Sequence, residues 1–153
     1  MTKDSRDDAN ARTAALATEL RALVGKLKRR LQAQASIGDL TPSQVAVLRH
    51  LDGGGPATVT ALAQAEGIRP QSMGATVAFL EAAGLVAGSP HPTDGRQTVF
   101  SLTPACRERI GANRAARQDW IVRTIRNRLS ASEEAELARG IELLRRLVEG
   151  DQP

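Results

Sequence analysis

The stretch from Ile68 to Gln97 constrains most strongly what this chain can fold into. Pro70 opens a short helical pattern that runs to about Ala83 and stops at Gly84. Proline suits the first helical turn, where its missing N–H has no intrahelical partner to lose. Met73, Val77 and Leu80 recur at i, i+4 and i+7, so they define one buried face. Gln71, Ser72 and Ala75 fall on the opposite side, and Thr76 lies at the boundary. Two short β-type runs follow, Leu85 to Gly88 and Gln97 to Leu102, on either side of the tip His91-Pro92-Thr93-Asp94-Gly95-Arg96-Gln97. Thr98-Val99-Phe100 is the richest of these in strand-forming residues.

The segment before it adds two more helices. Thr41-Pro42 is a helix start, an N-cap hydroxyl ahead of proline, and Val45, Val47, Leu48 and Leu51 supply the apolar face. Asp52-Gly53-Gly54-Gly55-Pro56 is expected to end that helix abruptly. Thr58 can cap the next helix, in which Leu62 and Ala63 face the core and Gly67 is a natural C′ residue. Helix, turn, helix and then a hairpin carrying an arginine is the layout of a winged helix-turn-helix. That layout sets a helix end in the DNA major groove with the hairpin beside it.

The flanks carry apolar stripes of their own. Leu16, Leu20, Leu23, Leu27 and Leu31, with Val24 alongside, mark one long helix from about Ala9 to Ala35. Lys26, Lys28, Arg29 and Arg30 cluster towards its C-terminal end, where positive charge complements the helix dipole. Thr103-Pro104 starts another helix, rich in arginine, with Ile110, Trp120, Ile121, Ile125 and Leu129 as apolar points. Ser130 and Glu133 form a capping-box pair for the last helix, striped by Leu137, Ile141, Leu144 and Val148. A winged unit cannot cover all these stripes, and each leucine left in water forgoes roughly 1.5–3 kcal/mol. The expected resolution is a homodimer in which terminal helices of two copies interdigitate; an intramolecular bundle is the alternative. The expected fold is therefore mainly α with a small β-hairpin wing: a disordered segment 1–8, then one domain over 9–153. Within it, a DNA-binding lobe spans about 40–103, and dimerisation helices span 9–35 and 104–150.

Composition excludes several other classes. The 153 residues include 41% apolar side chains, enough for a folded core, yet only two Phe, one Trp and no Tyr, so that core must be aliphatic. Net charge is +4, and the cations are nearly all arginine, whose planar fork pairs bidentately with phosphate and guanine. A single cysteine, Cys106, excludes an internal disulfide and any multi-cysteine metal site, and it is expected to be a small packed residue rather than a redox sensor. No window approaches the ~20 apolar residues of a membrane helix, and the polar start lacks a signal-peptide core, so a cytoplasmic location and no membrane partner are expected. His50 and His91 fall on separate elements, and Gly53-Gly54-Gly55 lacks the lysine of a phosphate loop. Neither an enzyme nor a cofactor is expected.

The candidate DNA contacts follow from residue chemistry. Gln71 and Ser72 lie in the first turn of the Pro70 helix, where free N–H groups and the dipole favour phosphate. Glutamine can also reach adenine N6/N7, and serine can serve several bases. Arg69 suits a phosphate, while Ala75 and Thr76 complete the outward face. On the hairpin, Arg96 can enter the narrow minor groove, and Asp94 is expected to orient an arginine rather than touch DNA. Asp94-Gly95 is also a common hairpin-turn dipeptide.

The ordered set of these segments resembles the MarR family of transcriptional regulators. The resemblance rests on Leu40-Thr41-Pro42-Ser43-Gln44, Ile68-Arg69-Pro70-Gln71-Ser72-Met73, Leu80-Glu81-Ala82-Ala83-Gly84-Leu85-Val86, and Asp94-Gly95-Arg96 followed by Phe100-Ser101-Leu102-Thr103. It covers the chain from about Leu16 onward and is most specific between Thr41 and Pro104. It implies a homodimer on palindromic promoter DNA, usually a repressor, released by a small apolar or aromatic effector. The family's wing usually begins with aspartate and often has an arginine before its central aspartate; here His91 and Thr93 stand in those places. They join Arg69, Gln71, Ser72, Ala75, Thr76, Asp94 and Arg96 as the expected DNA-binding set. The alternative function is a winged-helix protein-interaction module without DNA binding.

Overall fold

The computed structural model describes residues 2–150, with side chains from Asp7 onward. In order, the elements are α1 (Thr2–Gln34), α2 (Pro42–Gly54), β1 (Ala57–Thr58), α3 (Val59–Glu66), α4 (Pro70–Ala82), β2 (Val86–Pro90), β3 (Thr98–Leu102), α5 (Pro104–Arg128) and α6 (Ala131–Glu149). They divide into two compact units, Ala35–Arg114 and the pair Met1–Gln34 with Ala115–Pro153.

The first unit has an aliphatic core. Val47, Leu48 and Leu51 of α2, Leu62 and Ala63 of α3, and Met73, Val77 and Leu80 of α4 are all buried together with Leu85, Val86, Leu102 and Cys106. The buried positions on α4 are the three that helical spacing selects. Local chemistry sets the helix starts. The Thr41 hydroxyl accepts from Gln44 N–H while the Gln44 side chain accepts from Thr41 N–H, a full capping box. Thr58 accepts from Ala61 N–H and caps α3. Gly67, at φ 65°, takes the left-handed conformation that ends α3, and Ile68 N–H closes the turn on Ala63 C=O at 3.0 Å.

Three features depart from the sequence expectation. Helix α2 runs through Gly53 and Gly54 and ends only at Gly55, because three buried residues on its inner face outweigh the weak propensity of two glycines. The sheet has three antiparallel strands, in the order β1-β3-β2, rather than two. The extra strand pairs Ala57 with Phe100 and Thr58 with Val99, tying the start of α3 to the hairpin. Helix α1 is formed from Thr2, ahead of the Ala9 start that the apolar pattern suggests; Met1 lies outside the described residues. Extending an existing helix fixes one residue per hydrogen bond, so polar residues can be added at little cost.

The hairpin closes over a glycine. Gly88 pairs with Phe100, and a Cβ placed there would stand 2.8 Å from Thr98 Cγ2 and 3.2 Å from Phe100 Cε1. Gly88→Ala is expected to destabilise this unit by about 1–3 kcal/mol through overpacking. The check is a denaturant midpoint that falls while the slope stays constant. Thr103 anchors the other end of β3, donating its hydroxyl to Gly84 C=O at 2.8 Å and accepting from Cys106 N–H.

In the second unit, Arg117 Nε donates to Leu31 C=O at 3.2 Å, joining α5 to α1. Ser130 and Glu133 form the expected capping box at the start of α6. The two Ser130 hydrogen bonds hold the Glu133 carboxyl below its ordinary value, so this cap is intact above the ordinary carboxylate range and fades as pH falls through the lowered one. Leu16, Leu23, Val24 and Leu27 of α1 are exposed, as are Leu137, Ile141, Leu143, Leu144, Leu147 and Val148 of α6. Helix α6 has no buried residue at all. The last turn of α1 contains no basic residue, so Lys26–Arg30 stand too early for the dipole to explain them.

Candidate nucleic-acid interface

The expected DNA-binding residues lie on two elements of the Ala35–Arg114 unit. Arg69, Gln71, Ser72 and Ala75 are exposed at the leading end of α4, and Thr76 is half-buried. Arg69 is the N-cap in extended conformation (φ −69°, ψ 141°), but no side chain caps this helix. Helices α2, α3 and α6 use Thr41, Thr58 and Ser130 for that purpose. The first-turn N–H groups of α4 are thus left for an external acceptor, and the dipole's positive end favours an anion there. The Thr76 hydroxyl donates to Ser72 C=O at 3.2 Å, which leaves its oxygen as an acceptor only.

The wing residues divide between a hydrogen-bonded frame and a presented cation. Nδ1 of His91 lies 3.2 Å from both Thr93 N–H and Asp94 N–H, and the Thr93 hydroxyl lies at the same distance. Accepting those N–H groups requires Nδ1 without a proton. The Asp94 carboxylate accepts from Arg96 N–H at 3.2 Å and from the Gln97 side-chain amide at 3.3 Å. It therefore positions Arg96 through the loop backbone rather than through the guanidinium. His91 N–H donates to Gln97 C=O at 2.9 Å and shuts the base of the tip. Neither Asp94 nor Gly95 has positive φ, so the two-residue turn that needs left-handed backbone at both positions is not what forms here. His91, Thr93 and Asp94 build the tip, and Arg96 is the exposed cation presented on it. No described residue forms an ion pair with the guanidinium of Arg69 or Arg96.

Three features of this surface were not anticipated from sequence. An open groove of about 350 Å³ runs between the start of α3 and the root of the wing, lined by Thr58, Val59, Thr60, Gln97, Thr98 and Phe100. It depends on the β1–β3 pairing, for which two residues carry no sequence signal. Gln97 braces Asp94, a role visible only once the loop is closed. Phe79, on the outward side of α4, is 50% exposed; its position two residues past Val77, off the Met73-Val77-Leu80 face, is the signal that could have found it.

Other chemistries find little support at this surface. Cys106 is fully buried, and burial raises its thiol pKa above the ordinary value, against a lowering by Arg109 and with a further rise from Asp52. A thiol so held is a packed apolar group, not a ready nucleophile. Among the described residues, no three His, Cys, Asp or Glu side chains gather as a metal site, and no helix is long and apolar enough to cross a membrane.

Known proteins share this arrangement. The chain matches the family model described as MarR family over residues 38–97. It is 35% identical over 142 residues to an HTH-type transcriptional regulator of Mycobacterium bovis, covering 93% of this chain and 96% of that protein. An HTH-type regulator of Mycobacterium leprae is 38% identical over 115 residues, 75% of this chain and 78% of its own. A crystal structure of a Pseudomonas aeruginosa PA01 protein, described as a transcriptional regulator, superposes with TM-score 0.76 at 35% identity, covering 90% of this chain and 96% of that one.

Proposed function

Because this chain belongs to the MarR family of winged helix-turn-helix transcriptional regulators, we propose that it acts as a homodimeric repressor on a palindromic operator. The observation that carries this reading is the leading end of α4. Its first turn is exposed and uncapped, and it carries Arg69, Gln71 and Ser72. In this proposal the α4 N-terminus enters the major groove, where Gln71 and Ser72 meet base edges and Arg69 meets a phosphate. Arg96 reaches the neighbouring minor groove from the wing. The hydroxyl-lined groove between α3 and the wing root suits the sugar–phosphate strand that passes between those contacts.

Dimerisation is supported by the exposed stripes of α1 and α6. A two-fold pair presents two α4 helices to two half-sites, which matches operator symmetry to protein symmetry. Release by a small apolar or aromatic effector, and a cytoplasmic site of action, belong to the same reading and rest on family membership. The relatives are named as transcriptional regulators, so a winged-helix interaction module without DNA binding is not favoured.

The test is a gel shift on the promoter region beside the protein's own gene, with size-exclusion chromatography of the free protein. We expect a dimer and a discrete complex that competitor DNA does not displace. Dimers that ignore this DNA and every duplex drawn from a random pool, even at low salt, would overturn the reading.

A further inference from the structure

The chemistry of the outward face of α4 also restricts which bases it can read. No lysine or arginine occurs anywhere in Pro70–Ala82. A helix reads guanine best by offering paired donors to O6 and N7, and those come from arginine or lysine. Towards its leading end α4 exposes the Gln71 amide, the Ser72 hydroxyl and the Ala75 methyl, with Phe79 one further turn along. Thr76 has already given its hydroxyl proton to Ser72 C=O, so it cannot donate to a guanine or a thymine oxygen without breaking that bond. Ala75 stands one turn after Gln71 on the same face, so the two sit side by side along the groove. An amide that pairs adenine N6/N7 and a methyl that packs on the thymine C5-methyl are complementary to A·T pairs.

We propose that Ala75 is a specificity-determining contact, its methyl packing on the C5-methyl of one thymine in each half-site, with Gln71 bonded to a nearby adenine. This rests on the DNA-binding reading above and adds to it a base composition and a residue. Arg69 lies at the cap, outside this pair, and is left to the backbone.

In vitro selection from random duplexes with the full-length protein would supply the binding site, and fluorescence anisotropy would measure it. Replacing each thymine by deoxyuridine in turn removes one methyl and nothing else. One thymine per half-site should respond, with affinity falling about fourfold for one replacement and about fifteenfold for both, the loss expected when one buried methyl or two are removed. Ala75→Gly should weaken binding to the thymine duplex and abolish the difference between thymine and deoxyuridine. Ala75→Ser, which keeps the helix, should shrink that difference. Enriched half-sites dominated by G·C pairs at the α4 positions would overturn the inference while leaving DNA binding intact. So would tight binding with no response to any deoxyuridine, or a response that Ala75→Gly leaves unchanged. A protein that enriches no duplex at all would instead overturn the DNA-binding reading itself.

Discussion

Leu144→Glu is expected to convert the protein from dimer to monomer at micromolar concentration and to lower operator affinity at least ~100-fold. Leu144 lies in line with Leu137, Ile141 and Val148 on α6, all exposed within the protomer. In a two-fold interface one substitution is felt twice, so the loss of two buried leucines amounts to roughly 3–6 kcal/mol before the cost of desolvating two carboxylates. Affinity follows, because a monomer holds one half-site and forfeits the gain from engaging both at once. Helix α6 contributes nothing to the core around Met73 and Leu80, so the helical circular dichroism and the cooperative unfolding of the winged unit should persist. Analytical ultracentrifugation reads the first effect and anisotropy the second. A Leu144→Glu protein that sediments as a dimer would place the interface elsewhere.

Arg96→Ala should weaken binding to specific and random duplexes alike, by about tenfold, and make the logarithmic salt slope shallower by about one per wing. The Arg96 backbone is fixed by Asp94 while its side chain stays exposed, so the cation is presented without help from a partner charge. Gln71→Ala should behave oppositely, relaxing discrimination between bases while leaving the salt slope in place. His91→Ala removes the acceptor for two loop N–H groups and should reproduce part of the Arg96→Ala loss without removing any cation. An unchanged salt slope in Arg96→Ala would argue that the wing stays off the DNA.

How far the fold could be read in advance follows from the range of the interactions that make each part. Caps are local, so Thr41, Thr58, Gly67 and Ser130 were legible one by one, as were the apolar faces that spacing alone defines on α3 and α4. Strand β1 was not legible, because Ala57 and Thr58 become a strand only by pairing with Phe100 and Val99, more than forty residues away. The passage of α2 through Gly53 and Gly54 reverses local propensity, and only the packing of Val47, Leu48 and Leu51 explains it. At the candidate site, the exposure of Gln71, Ser72 and Ala75 on α4 was legible, since helical geometry fixes which side chains point away from the Met73-Val77-Leu80 face. The wing was harder. His91 and Thr93 looked like departures from a contact pattern, but with Asp94 they form the hydrogen-bonded frame that carries Arg96. Such a frame depends on how a seven-residue loop closes, which spacing does not encode.

In the proposed function, α4 and the wing read a DNA sequence. The most direct measurement is the ratio of affinities for a duplex carrying the protein's own selected half-sites and for the same duplex scrambled, both at physiological salt. A ratio of at least ~1,000 is expected, the lower end for specific regulators. Equal affinities for the two duplexes would contradict it.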